Sequence, residues 1–207
     1  MSRLLNSEDV QFAITDGDLT TNQSATAQNI LKTVSNCVRG FCGKQHYSLG
    51  DLLEIVHLID TDGAFIPDEA VVPGPMNLHY SATEIQTNQA QKIRERNHQK
   101  KQLVELLRTK TILCGRPYHL YYFSRNLEHV LHNRLEDLPP GEKNDLADQF
   151  AKQYGEHPEE FLLLMNQADI AVSGDYNATW GFLQQGSHSL ERGCNFHLYL
   201  NQKKNPQ

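Results

Sequence analysis

Apolar and polar positions along this chain follow two rhythms. Short apolar runs that stop on acids or glycine alternate with longer stretches whose apolar residues recur every three or four positions. Val10 to Thr15 (VQFAIT) is the first short run; it reads as a buried strand closed by Asp16-Gly17-Asp18. In Ala25 to Cys42 the residues Ile30, Leu31, Val34 and Val38 fall at helical spacing, with Ser24 placed to cap the helix. Ser48 to Leu53 adds a further helical turn. Glu54 to Ile59 (EIVHLI) is a β-branched strand ending on Asp60-Thr61-Asp62-Gly63. Strand, helix, strand is a βαβ unit, and its right-handed crossover would bring both acidic turns to one edge of a parallel sheet.

Downstream, Pro67 to Pro75 carries three prolines and reads as a loop. Thr83 to Thr109 reads as a helix with Ile93, Leu103, Val104, Leu106 and Leu107 as its apolar set, followed by a third strand, Thr111 to Cys114. A helix from Ser124 to Asn133 precedes the break at Pro139-Pro140-Gly141. Helices are expected over Glu142 to Tyr154, Pro158 to Gln167 and Thr179 to Glu191, then a closing strand at Phe196 to Leu200 and a frayed tail. The expected fold is therefore α/β: a parallel or mixed sheet flanked by helices, with a helical C-terminal part. Residues 1–135 would form the core, and 136–207 a helical extension packed on the same domain.

Composition narrows this picture. The 207 residues are 39% hydrophobic and 21% charged, with a formal charge of −6 and 10 histidines. An acidic chain is not a general nucleic-acid coat, although it can carry a local basic face. Cys37, Cys42, Cys114 and Cys194 form no CxxC pair and read as reduced thiols. No apolar run approaches 18 residues, so no membrane span is expected. Met1 to Val10 lacks the apolar stretch of a signal peptide, which points to the cytoplasm.

The acidic turns are the chemistry-bearing feature. Asp60 and Asp62 leave a strand together, and Gly63 frees the backbone so that both carboxylates can converge. Two hard oxygen donors with coordination positions to spare suit Mg²⁺ or Mn²⁺, completed by water and a phosphate substrate. Asp16 and Asp18 repeat the design one strand earlier, and three or four clustered carboxylates repel unless a cation sits among them. The competing readings are a surface turn at 60–63 and a capping loop at 18–21. KIRERNHQKK, with Lys92, Arg94, Arg96, His98, Lys100 and Lys101, is either a solvated face or a phosphate-tracking one. In Arg116 to Asn133, Glu128 and His129 occupy the first turn of a helix after a strand, with Arg125 and Asn126 at its start. That corner is either phosphate-facing, with Glu128 as a third carboxylate or proton carrier, or a Tyr-rich packing corner. Ser189 beside His188 is a weak nucleophile signal with no GxSxG elbow. Asp175 reads as a turn or N-cap, and Trp180 as core.

The strand ending in Asp60-Thr61-Asp62-Gly63, with FSRNLEHVLHN after a later strand, resembles the Toprim domain. More narrowly, it is similar to the small stand-alone Toprim-like proteins of phage-defence and mobile-element settings. The resemblance spans about Val10 to His132. It implies that Asp60 and Asp62 bind Mg²⁺ and that DNA or RNA is the partner, with a homodimer or a defence-system protein as a further partner. It also implies a glutamate after the family's first strand. If Val10 to Thr15 is the family's second strand, that first strand and its glutamate are absent, leaving Asp16, or a partner subunit, to fill the position.

A second resemblance is to haloacid-dehalogenase-type phosphatases, through Asp16-Gly17-Asp18-Leu19-Thr20, with Asp16 as nucleophile and Asp18 as acid/base. Its later motifs do not fall well, and it leaves Asp60 and Asp62 unexplained. The expectation is Mg²⁺- or Mn²⁺-dependent phosphodiester chemistry on nucleic acid. Asp60, Asp62 and Glu128 would be catalytic, Asp16, Asp18, Asp60 and Asp62 metal-ligating, and Arg125, His129, Lys92 and Arg96 substrate-binding. The alternatives are a phosphatase acting through Asp16 and a catalytically degenerate Toprim-like binding module.

Overall fold

The computed structural model describes residues 18–75, 77–135 and 138–204. The expected strand Val10 to Thr15, and Asp16, lie outside them. Within them the fold is mixed α/β, two small three-stranded sheets with seven α-helices. By contacts the chain divides into two compact units that interleave along the sequence. One takes in the described residues up to Ile59 together with Gln91–Tyr121; the other takes in Asp60–Ala90 and everything described from Tyr122 onward.

In the first unit, helix α1 (Ile30–Lys44) buries Ile30, Val34 and Cys42, the spacing of one helical face. Asn29 holds the N-cap position without a side-chain bond to the helix; its Oδ1 accepts from Thr26 N (2.8 Å), and Ser24, the expected cap, bonds Asn22 instead. Strand β1 (Ile55–Asp60) follows a 3₁₀ turn held by the Ser48–Asp51 capping box.

The next strands belong to the second unit. Within the expected Pro67–Pro75 loop lies a short strand, β2 (Val71–Pro73). With β3 (His79–Tyr80) and β4 (Ile85–Thr87) it forms a sheet of order β2-β4-β3, parallel between β2 and β4 (Val71↔Ile85) and antiparallel between β3 and β4 (Tyr80↔Ile85). The helix expected from Thr83 thus begins later. Residues 85–87 alternate buried, half-buried, buried, the period of a strand, and α2 runs Ala90–Arg108.

Returning to the first unit, the strand expected at Thr111–Cys114 is only two residues, β5 (Ile112–Leu113). Cys114 and Gly115, both with positive φ, turn it into β6 (Arg116–Phe123), as a two-residue primed turn does. Strand β6 was not foreseen, because its tyrosines and histidine read as a packing corner. It is the central strand of the order β1-β6-β5. Past the strand ends Thr61 N donates to Phe123 O (3.0 Å) and Asp62 N to Arg125 O (2.7 Å), so β1 and β6 advance in the parallel sense.

Helices complete the second unit: α3 (Leu127–His132), α4 (Pro140–Tyr154), α5 (Pro158–Met165), α6 (Tyr176–Leu183) and α7 (Phe196–Lys204). The expected helix 179–191 is instead α6 and a separate 3₁₀ turn at His188–Leu190. The expected closing strand at Phe196–Leu200 is α7. Its buried residues Phe196, His197, Tyr199 and Leu200 stand at i, i+1, i+3 and i+4, a helical and not an alternating pattern. Asp175 is the N-cap of α6, accepting from Ala178 N at 2.8 Å, and Trp180 is fully buried, edge-on to Tyr122. Buried Asn195 accepts from Tyr122 N (2.9 Å) and donates to Thr179 Oγ1 (3.2 Å), all three residues lying within the second unit.

Candidate functional site

At the end of β1 the apolar strand passes directly into an acid-bearing turn, and that turn is interior. Thr61, Gly63, Ala64, Phe65 and Ile66 are all buried, whereas Asp60 and Asp62 are half-buried. The surface-turn reading is therefore replaced by a buried turn from which two acids reach partial exposure. Ala64 N donates to Thr61 O (2.9 Å) to close the turn. Gly63 has φ +64°, and a Cβ there would lie 2.5 Å from Leu190 Cδ2, so both backbone and space require glycine.

Two non-glycine residues at the neighbouring strand ends are also left-handed, Asp62 (φ 50°) and Arg125 (φ 58°). They are bonded to each other through Asp62 N and Arg125 O. Arg125 N in turn donates to Thr61 Oγ1 at 2.8 Å. Non-glycine residues hold such conformations at an energetic cost, and they persist where surrounding bonds over-determine them.

The Arg125 side chain, expected to grip phosphate, is enclosed. Its guanidinium lies 4.6 Å over the Tyr80 ring and donates to Leu135 O. Asn126 caps α3 through Oδ1, accepting from His129 N at 2.8 Å. Glu128 is mostly covered and stands 3.7 Å from Lys143 Nζ. His129 is buried; burial first, and then the Arg125 charge, push its pKa down to about 4, against a hydrogen bond that its ring donates to the Ser124 backbone. It is therefore neutral at physiological pH, and its Nδ1 meets no hydrogen-bond partner among the described residues.

The remaining sequence candidates belong to the other unit. Asp18 Oδ1 accepts from Thr20 N and Thr20 Oγ1, both at 2.7 Å, and Oδ2 accepts from Lys100 Nζ at 2.6 Å. Burial works to raise its pKa, but the Lys100 ammonium and these hydrogen bonds outweigh it and the net shift is downward. As placed, Asp18 answers three protein donors, where a cation ligand was expected. Lys100, read as part of a basic face, is fully buried. The signal was present in the sequence: Lys100, Leu103, Val104 and Leu107 share one helical face. Lys92 is exposed, and the Arg96 guanidinium bonds Asn97 Oδ1 at 2.7 and 3.1 Å. His57, on β1, meets the Tyr118 hydroxyl at 2.8 Å; burial takes its pKa down to about 4, partly opposed by Asp18.

Two residues that sequence reasoning assigned no such role complete the acidic turn. Thr61 has 0% exposure, and Ser189, considered only as a nucleophile, has 0% exposure and accepts from Phe65 N through Oγ (3.2 Å). Among the described residues no group of three or more His, Cys, Asp or Glu side chains is gathered as a metal cage. In comparisons with known proteins, no family model, no curated protein and no solved structure matches the chain.

Proposed function

We propose that this chain is a Toprim-like protein that performs Mg²⁺- or Mn²⁺-dependent phosphodiester cleavage on nucleic acid, with Asp60 and Asp62 as the cation's protein ligands. One observation carries the reading. A β-strand delivers two half-exposed carboxylates on either side of a fully buried Thr61, and the turn that holds them is fixed by main-chain and hydroxyl hydrogen bonds. Two hard oxygen donors on half-buried residues suit a small divalent cation that completes its shell with water and substrate phosphate. Such a cation would polarise a phosphoryl oxygen and lower the pKa of a bound water.

The protein's own groups set the rest. Asp60 and Asp62 would hold the cation. Glu128, on the helix that begins just after Arg125, is the carboxyl assigned to proton transfer. His129 stays neutral beside it. Arg125 acts by shaping the corner from within. The phosphatase reading is not carried forward, because its acid/base residue Asp18 is ion-paired and has a lowered pKa. No helix among the described residues is long and apolar enough to cross a membrane.

The test is cleavage of single- and double-stranded DNA and RNA with Mg²⁺ or Mn²⁺. Wild type is expected to cleave at least one, and Asp60→Asn/Asp62→Asn to lose at least a hundredfold in rate (about 2.7 kcal/mol). Equal cleavage by both proteins would overturn the reading. Cation binding without turnover would assign the chain to the degenerate binding-module class.

A further inference from the structure

We propose that Thr61 and Ser189 are the positioning residues of the acidic turn, setting the Asp60 and Asp62 carboxylates for a divalent cation without touching it. This inference rests on the assignment of Asp60 and Asp62 as cation ligands. Thr61 lies between the two aspartates, and each of its polar groups is engaged. Its N–H donates to Phe123 O at 3.0 Å, and its carbonyl accepts from Ala64 N at 2.9 Å. Its Oγ1 accepts from Arg125 N at 2.8 Å and donates to Ser189 O at 3.4 Å.

These bonds form a sequence of dependence. The Thr61 hydroxyl fixes the Arg125 amide while Arg125 is left-handed. That conformation leaves the Arg125 carbonyl to accept from Asp62 N at 2.7 Å, and Asp62 is itself left-handed. Ser189 holds the other end of the turn, its Oγ accepting from Phe65 N, while its carbonyl meets the Thr61 hydroxyl. The acids' backbone is therefore clamped on both sides by two hydroxyls that lie out of reach of solvent. A β-branched threonine adds stiffness, since its χ1 is restricted. Groups that orient metal ligands from behind govern affinity about tenfold to a hundredfold when removed.

The experiment is Mn²⁺ titration calorimetry on the full chain, with a thermal melt of each variant as a fold check. Thr61→Val keeps the shape and removes the hydroxyl; it is expected to weaken Mn²⁺ binding about tenfold or more. Thr61→Ser restores the hydroxyl and is expected to stay within about threefold of wild type. Ser189→Ala is expected to weaken binding by about threefold to tenfold. A folded Thr61→Val that binds Mn²⁺ as wild type does would overturn the inference, as would a Thr61→Ser as weak as Thr61→Val. If Thr61→Val does not fold, Ser189→Ala decides, and unchanged affinity there overturns it. The two claims separate cleanly. Wild type without saturable Mn²⁺ binding removes the ligand assignment and this inference with it, whereas binding in wild type and equally in Thr61→Val removes this inference alone.

Discussion

In the unit built on α1 and α2, the carboxylate of Asp18 is met by an ammonium that reaches it from 82 residues away, and its other oxygen is taken by Thr20. In the second unit, Asp60 and Asp62 are positioned through their main chain, by a buried threonine between them and a glycine after them. Both regions present an aspartate two residues after another acid. One is settled by charge pairing inside the protein, the other by backbone geometry that leaves both acids half-exposed. The Asp-x-Asp spacing is thus not by itself a cation site.

The comparison can be pressed first with acid, where the largest effect is expected. His57 and His129, one in each unit, have folded pKa values of about 4, below the ordinary 6.5. A depressed folded pKa means that the stabilisation is complete above pH 6.5 and is lost as pH falls toward 4. Each histidine accounts for a change on the order of 3 kcal/mol at most. Asp18, with its pKa lowered from 3.8, adds a further loss only below that pH. Urea unfolding at pH 7, 5.5 and 4 should show the midpoint falling through the histidine range; a flat midpoint across it would contradict the burial of both rings.

Next, Lys100→Met leaves the Asp18 carboxylate largely covered and without its ion pair. A loss of about 3 kcal/mol in unfolding free energy is expected. A loss under about 1 kcal/mol would show the pair to be a surface-like one. Gly63→Ala follows, with about 2 kcal/mol lost to a left-handed alanine and its contact with Leu190. The smallest effect should come from Asp60→Asn/Asp62→Asn. In metal-free buffer its stability should fall by no more than about 1 kcal/mol, because asparagine keeps the side-chain size and the main-chain bonds stay. Thermal melts in EDTA check this, and a large loss would show that the acids serve the fold.

The half of this contrast carried by β1 was legible in the sequence. The apolar run into Asp-Thr-Asp-Gly announces a strand and a glycine-dependent turn, and both are there. Asp175 as a cap and Trp180 as core were equally local inferences. The other half was hidden because it depends on distant partners. That Asp18 meets Lys100, that Ser189 braces Phe65, and that Arg125 folds inward onto Tyr80 are all facts of tertiary packing. Strand β6 escaped because His119 and its tyrosines blur the alternation, although Tyr118, Leu120 and Tyr122 are buried on one side of it. Helix α7 differs from the expected strand because five residues, FHLYL, fit either period, and only burial at positions 196, 197, 199 and 200 separates the two.

The central claim is that the end of β1 holds a divalent cation and that the Asp18 turn does not. Mn²⁺ calorimetry on wild type, Asp60→Asn/Asp62→Asn and Asp18→Asn tests it most directly. The account predicts saturable binding in wild type, retained in Asp18→Asn and abolished in Asp60→Asn/Asp62→Asn. Binding that survives in the double variant, or that is lost with Asp18→Asn in a folded protein, would contradict it.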